Sequence, residues 1–226
     1  MSILSSIISD GFRILTFRRP STSLDEKWPA YLAFGLLFTW LAGVGRYWDN
    51  PRADLWQHLG LGSLTYVFCL ALILWILSIP LRPNRWSYRN VLIFVSLTSP
   101  PAILYAIPVE KFVSMEVAQA LNSAFLAFVA SWRISLLYWF MRRFAGLDRV
   151  AAATSTLLPL ALIVVVLAEL NLEHAVFDLM SGIRPELRTS GDVSFGVVSV
   201  LSVVSYLLSP GLLFVYLLCV RRARGA

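Results

Sequence analysis

Hydrophobic residues run in long unbroken blocks along this chain instead of alternating with polar ones. Six blocks of roughly 19 to 28 residues carry almost no charge, near 29–47, 59–80, 90–108, 117–141, 150–172 and 193–220, and a bilayer's hydrocarbon core takes about 20 such residues per helix. Their Leu-, Ala- and Val-rich content lacks the period-two alternation of outer-membrane strands, which predicts helices. Connections of roughly 8 to 20 residues leave no room for a soluble domain. The expected architecture is an all-α polytopic membrane helix bundle of six transmembrane spans, with 1–226 forming a single membrane domain.

Ahead of the first block the pattern changes. In "MSILSSIISDGFRILTFRRP", residues Ile3, Leu4, Ile7, Ile8, Phe12, Ile14 and Leu15 recur at spacings near 3.6, with Ser9, Asp10 and Arg13 between them. This predicts an N-terminal amphipathic helix over 1–20 that lies in the membrane interface or docks on a partner protein. Its apolar residues are dispersed and its positive charges follow them, so it reads as an anchor and not as a cleavable signal peptide.

Charge orients the bundle. Arg13, Arg18, Arg19, Lys27, Arg82, Arg85, Arg89, Arg142, Arg143, Arg149, Arg221, Arg222 and Arg224 fall on one side of a six-span alternation; Arg46, Arg52, Lys111, Arg184 and Arg188 fall on the other. By the positive-inside rule both termini are cytoplasmic. Acids run the opposite way, with Asp49, Asp54, Glu110, Glu116, Glu173, Asp178, Glu186 and Asp192 outside. The excess of Arg over Lys, 17 to 2 by count, fits a GC-rich bacterial genome and hence a cell inner membrane.

The pI near 9.7 does not imply nucleic acid, because the basic residues are spread over four short segments; contact with anionic lipid headgroups accounts for them. Trp28, Tyr47, Trp48, Trp56, Trp86, Tyr88, Tyr138 and Trp139 sit near predicted span ends, as interfacial aromatic belts do. Cys69 and Cys219 cannot build an extracellular disulfide framework. The one sizeable external loop, 173–192, carries turn signals.

Candidate chemistry concentrates inside the spans. Arg133, in "FVASWRISLLYW", is a charge within a block, where it should face protein or a water cavity and have a partner. In "SLTSPPAILYAIP", Pro100 and Pro101 would free the carbonyls of Ser96 and Leu97, at a depth comparable to that of Arg133. The expectation is that Arg133 donates to those carbonyls, assisted by Ser99 or Thr98, and pins the fourth span to a broken third. A substrate or anion site and snorkelling to lipid headgroups are the other uses open to it. Glu169, the other charge inside a block, lies toward the opposite interface. Pro159 and Pro210 interrupt the fifth and sixth blocks, and Leu-x-Ser-Pro occurs at both Leu97–Pro100 and Leu207–Pro210, in spans of opposite direction. Paired interruptions of that kind mark the midplane sites of inverted-repeat transporters.

His58, Glu169, Glu173, His174 and Asp178 would offer carboxylate and imidazole ligands near the external ends, though a solvated helix end explains the same residues, and no metal or cofactor is expected. The chain carries no nucleophile elbow, P-loop, dinucleotide fingerprint or zinc-protease pattern.

Residues 90–149, "NVLIFVSLTSPPAILYAIPVEKF…WRISLLYWFMRRFAGLDRV", resemble the middle of the YIP-type (Ypt-interacting) integral membrane proteins. There a proline-broken Tyr-x-x-Thr-Pro-like span ends at a further proline, and the next span leads to a short basic turn. Thr98, Pro100 and Pro108 occupy the matching positions. The chain lacks the acidic Asp-Leu-Tyr-Gly-Pro element, and six spans are expected where that family has five. The resemblance implies a non-enzymatic membrane scaffold or trafficking factor. Two functions follow as expectations: a scaffold or accessory subunit bound to a membrane-protein partner or to itself, and a small secondary transporter with its site at the broken helices and Arg133. A membrane enzyme comes third.

Overall fold

The computed structural model describes residues 3–20, 26–48, 53–172 and 193–225. Among them the chain is helical, without strands: α1 (Ile3–Leu15), α2 (Trp28–Tyr47), α3 (Leu55–His58), α4 (Leu61–Ser78), α5 (Tyr88–Leu97), α6 (Met115–Arg143), α7 (Arg149–Glu169) and α8 (Val193–Gly225). Five stretches are long and apolar enough to cross a membrane: Trp28–Tyr47, Leu61–Leu81, Ala120–Arg143, Arg149–Glu169 and Gly196–Gly225. They coincide with five of the six expected blocks.

The block at 90–108 is not one helix. α5 has only 10 residues and gives way to a 3₁₀ stretch, Pro100–Ala106. Neither Pro100 nor Pro101 has an N–H with which to continue the α-helical ladder. At about 1.5 Å per residue α5 covers about 15 Å. The seven 3₁₀ residues, at about 2.0 Å each, add about 14 Å.

Contacts between helix ends sort the chain into two poles. At one, Arg19 Nη2 donates to the Arg143 carbonyl at 3.1 Å, Asn84 N–H to that of Ala145 at 2.8 Å, and Tyr216 OH to that of Leu77 at 2.7 Å. At the other, Trp48 Nε1 donates to Ala106 O at 3.0 Å, Trp40 Nε1 to Leu59 O at 3.0 Å, and Lys111 Nζ lies 4.6 Å from the Trp48 ring centre. Residues 88–106 therefore run from the first pole to the second. Local signals fix the entries: the Ser87 hydroxyl accepts from Asn90 N–H, and Asp148 accepts from the amides of Val150 and Ala151, each satisfying amides that a helix start leaves free.

α5 is the centre of the bundle. Every residue from Asn90 to Ser99 is buried, among side chains from α1, α2, α4, α6 and α7. Phe94 stacks on Phe140 of α6 at 4.0 Å, which in turn stacks on Phe144 at 5.2 Å. α2 reaches α5 through a stripe of small residues one turn apart, Gly35, Thr39 and Gly43. A Cβ on Gly35 would clash with the Ser96 side chain and lie 2.8 Å from its backbone carbonyl carbon. Thr39 Oγ1 is 2.7 Å from Ser99 Oγ. A Cβ on Gly43 would lie 2.9 Å from the Gly60 carbonyl at the start of α4. Small residues let helix backbones approach this closely where no water-driven force pulls them together.

The N-terminal helix differs from the expected polar and apolar split. Ile7 and Ile14 are buried on the bundle, but so is Asp10, 0% exposed, which accepts from Tyr31 OH at 2.5 Å. Leu4, Ile8 and Phe12 form a second apolar line that stays exposed. α1 is further tied by Lys27 Nζ to Ser6 Oγ, 3.3 Å, and by Trp132 Nε1 to the Leu15 carbonyl, 3.2 Å. Asp10 belongs to the docking face because it sits three residues from Ile7 and four from Ile14, on the same side of the helix.

Candidate functional site

The break in the central segment seals itself in part, since the Ser96 carbonyl finds a donor while that of Leu97 faces Pro100 and Pro101, which have none. Thr98 N–H donates to the Phe94 carbonyl at 3.2 Å, Ser99 N–H to that of Ser96 at 3.1 Å, and Ala102 N–H to that of Ser99 at 2.9 Å. The chain tightens from i+4 to i+3 bonding just before the prolines, so the Ser96 carbonyl expected to be free is taken by the backbone. The hydroxyls follow suit: Ser96 Oγ donates to Ile93 O at 2.9 Å and Thr98 Oγ1 to Val95 O at 2.7 Å.

Arg133 accordingly makes no hydrogen bond to Ser96 or Leu97 among the described residues. Its guanidinium lies 5.7 Å from the Tyr66 ring centre, within cation–π range, and its Nη2 is buried without a hydrogen-bond partner. The expected pairing compared the depths of backbones, whereas helical side chains lean toward their N-terminus. α6 runs from the pole of Trp48 and Lys111 toward that of Arg19 and Asn84, so the Arg133 tip points back toward the pole of Trp48 and Lys111. There it enters a group that the sequence reading did not assemble. Arg46 of α2 stands over the Tyr105 ring at 4.6 Å. The two guanidiniums are close enough to repel each other, and Tyr105 interacts with both. By sequence Arg46 reads as a loop charge; its signal is a guanidinium one residue before the end of an apolar block. Tyr66 and Tyr105 carry no signal in the sequence that marks them out from other tyrosines of apolar blocks.

The other prolines do not break their helices. α7 continues through buried Pro159; one turn earlier, Thr154, Ser155 and Thr156 each donate their hydroxyl to their own i−4 carbonyl, at 2.8, 2.6 and 2.8 Å. α8 continues through exposed Pro210, which frees the Tyr206 carbonyl, and Ser209 Oγ approaches that oxygen at 3.4 Å. The two Leu-x-Ser-Pro elements are thus not equivalent, since one ends a buried half-helix and the other lies within a long peripheral one.

Of the candidate metal ligands, Glu169 accepts from Tyr206 OH at 2.6 Å and ties α7 to α8. His58 ends the short α3. Glu173, His174, Asp178 and the 173–192 loop lie outside the described residues. No group of three potential ligands occurs among the residues described. No family model, curated protein or solved structure matches the chain.

The Arg133 environment makes a prediction about stability. A buried unsatisfied donor costs about 1–3 kcal/mol, and a neighbouring guanidinium adds repulsion. Arg133→Met, which keeps length and apolar volume, is expected to raise the unfolding midpoint in detergent. A lowered midpoint would show that the Tyr66 contact outweighs both penalties.

Proposed function

We propose that the chain is a multi-pass inner-membrane protein that serves as a non-enzymatic scaffold or accessory subunit. In this reading it crosses the bilayer six times, the third crossing being α5 followed by its 3₁₀ stretch. The run of residues 88–106 from one pole to the other supports this. Both termini are cytoplasmic, in keeping with Arg19, Arg82, Arg85, Arg89, Arg143 and Arg149 lying in or beside the segments of one pole. α1 lies at that interface, one side docked on the bundle and Leu4, Ile8 and Phe12 turned to lipid. Cytoplasmic arginines meet anionic headgroups.

The observation that carries the scaffold role is that the buried hydroxyls at 96–99 and 154–156 bond to backbone or to each other, so they are already engaged in holding the helices. The YIP-type resemblance of residues 90–149 points to the same class. A partner, or a second copy, would pack on α8, whose Leu207 and Phe214 are 75% and 63% exposed. Purification in mild detergent is expected to bring down a membrane-protein partner or a homo-oligomer in fixed stoichiometry, read by mass spectrometry. A lone monomer, free of partners under conditions that preserve its fold, would defeat the scaffold role.

A small anion transporter is the second reading, favoured by the buried, unpartnered Arg133 Nη2 beside Arg46. It requires anion uptake into proteoliposomes that Arg133→Met abolishes.

A further inference from the structure

At the pole of the basic loops a cleft of about 640 Å³ opens between α6 and α7, within the size range of small-ligand sites. Ile134, Ala153 and the part-exposed Leu157 line its floor beside the hydroxyl residues Ser135 and Thr156, and Tyr138, Trp139, Arg142 and Arg143, nearer the loop, line its mouth. Phe17, just past the end of α1, closes one side and packs on Trp132 at 5.5 Å. A further guanidinium reaches the mouth, because Arg19 Nη2 is held on the Arg143 carbonyl. Arg142 spends one N–H on Leu147 O at 2.7 Å. The Arg143 guanidinium, the Tyr138 hydroxyl and the Trp139 indole N–H make no hydrogen bond among the described residues. The neighbouring acid, Asp148, accepts from the first amides of α7 through one oxygen.

We infer that this cleft is a binding site for an anionic phospholipid, its phosphate held at Arg143 and Arg142 and one acyl chain laid along Ile134 and Leu157. The dimensions match a lipid better than a soluble anion. From Arg143 to Ile134 is nine residues of helix, about 13 Å, close to one leaflet of a hydrocarbon core about 30 Å thick. A free phosphate would find the guanidiniums but would leave the floor empty; an uncharged acyl chain would fill the floor and ignore the mouth. Basic pockets between membrane helices are known to suit acidic headgroups, and tyrosine and tryptophan at that level add donors. The site rests on the chain being a membrane protein and is independent of whether it acts as a scaffold.

Native mass spectrometry of the full chain, loaded in turn with phosphatidylglycerol, with phosphatidylcholine of the same acyl chains and with glycerol phosphate, tests it. The expected result is one phosphatidylglycerol retained per chain in preference to phosphatidylcholine, and no retention of glycerol phosphate. Arg143→Gln should lower phosphatidylglycerol retention about fivefold, the effect of one basic residue at a lipid surface. Leu157→Trp, which fills the floor, should reduce retention of both lipids. Equal retention of the two lipids by the unaltered protein would overturn the site without any variant. So would glycerol phosphate binding as well as the lipid, or phosphatidylglycerol retention indifferent to both substitutions. Co-purifying protein, or none, leaves this readout unchanged, so the scaffold role fails or stands separately.

Discussion

Gly35→Leu is expected to yield no folded protein, and Gly35→Ala a protein less stable by about 1–3 kcal/mol, the cost of overpacking a close contact. An added Cβ would meet the Ser96 Oγ, which can rotate, and the Ser96 Cβ and carbonyl carbon, each at 2.8 Å, which cannot. Relief requires α2 to move away from α5, and that movement stretches the hydroxyl contact of Thr39 with Ser99, 2.7 Å. The damage reaches the helix break one turn away. Unfolding of purified Gly35→Ala in detergent, followed by circular dichroism and by the loss of a monodisperse elution peak, measures the effect. An alanine variant as stable as the parent would mean that the α2 and α5 backbones are less closely apposed than described.

The second large effect is expected at the buried carboxyl of α1. Tyr31→Phe removes one donor to Asp10, the hydroxyl at 2.5 Å. Both residues are 0% exposed, so the lost bond is not replaced by water. Losing a partner to a buried polar group costs about 1–3 kcal/mol, and the element that gives way is α1, not the spans. Trypsin cleavage at Arg13, Arg18 and Arg19 should therefore accelerate in Tyr31→Phe while cleavage at the other Lys and Arg residues keeps the parent's rate. Asp10→Leu alone should do the same. The double variant Asp10→Leu with Tyr31→Phe should recover much of the protection, because removing both members of a polar pair is cheaper than removing one. Cleavage rates equal to the parent in all three would refute a holding role for the pair.

Much of the fold was legible because membrane helices are read from length and apolar content, and α2, α4, α6, α7 and α8 satisfy both without interruption. The block 90–108 satisfied them too, yet became a half-helix and a 3₁₀ stretch. The two adjacent prolines announced a break but not how the backbone would repair it. That repair, Ser99 N–H on the Ser96 carbonyl, is a change of helix type that no spacing of side chains records. The candidate site was half legible. Arg133 was conspicuous as a charge among apolar residues, but its surroundings depended on the lean of the side chain and on which neighbours stood one turn nearer the N-terminus of α6. Asp10 was misplaced for a related reason: in a short helix docked on one side and exposed on another, the boundary between faces belongs to the tertiary contact, and a carboxyl with a buried tyrosine opposite it can lie within the packed side. The stripe Gly35, Thr39, Gly43 was available at four-residue spacing in "GLLFTWLAG" and is the signal that would have located the helix pressed closest to the break.

The enclosure of α5 bears on how such a chain is assembled during synthesis. Asn90 to Ser99 are all buried, in one apolar core with residues of α1, α2, α4, α6 and α7, and Phe140 of α6 stacks on Phe94 within it. The covering of α5 is completed only after α6 and α7, which are translated later, have arrived. In the proposed six-span arrangement, the ten residues of α5 without their 3₁₀ continuation are too short to cross the bilayer. The final position of α5 is therefore a late event, set by the closing of neighbours around it rather than by the moment it leaves the insertion machinery.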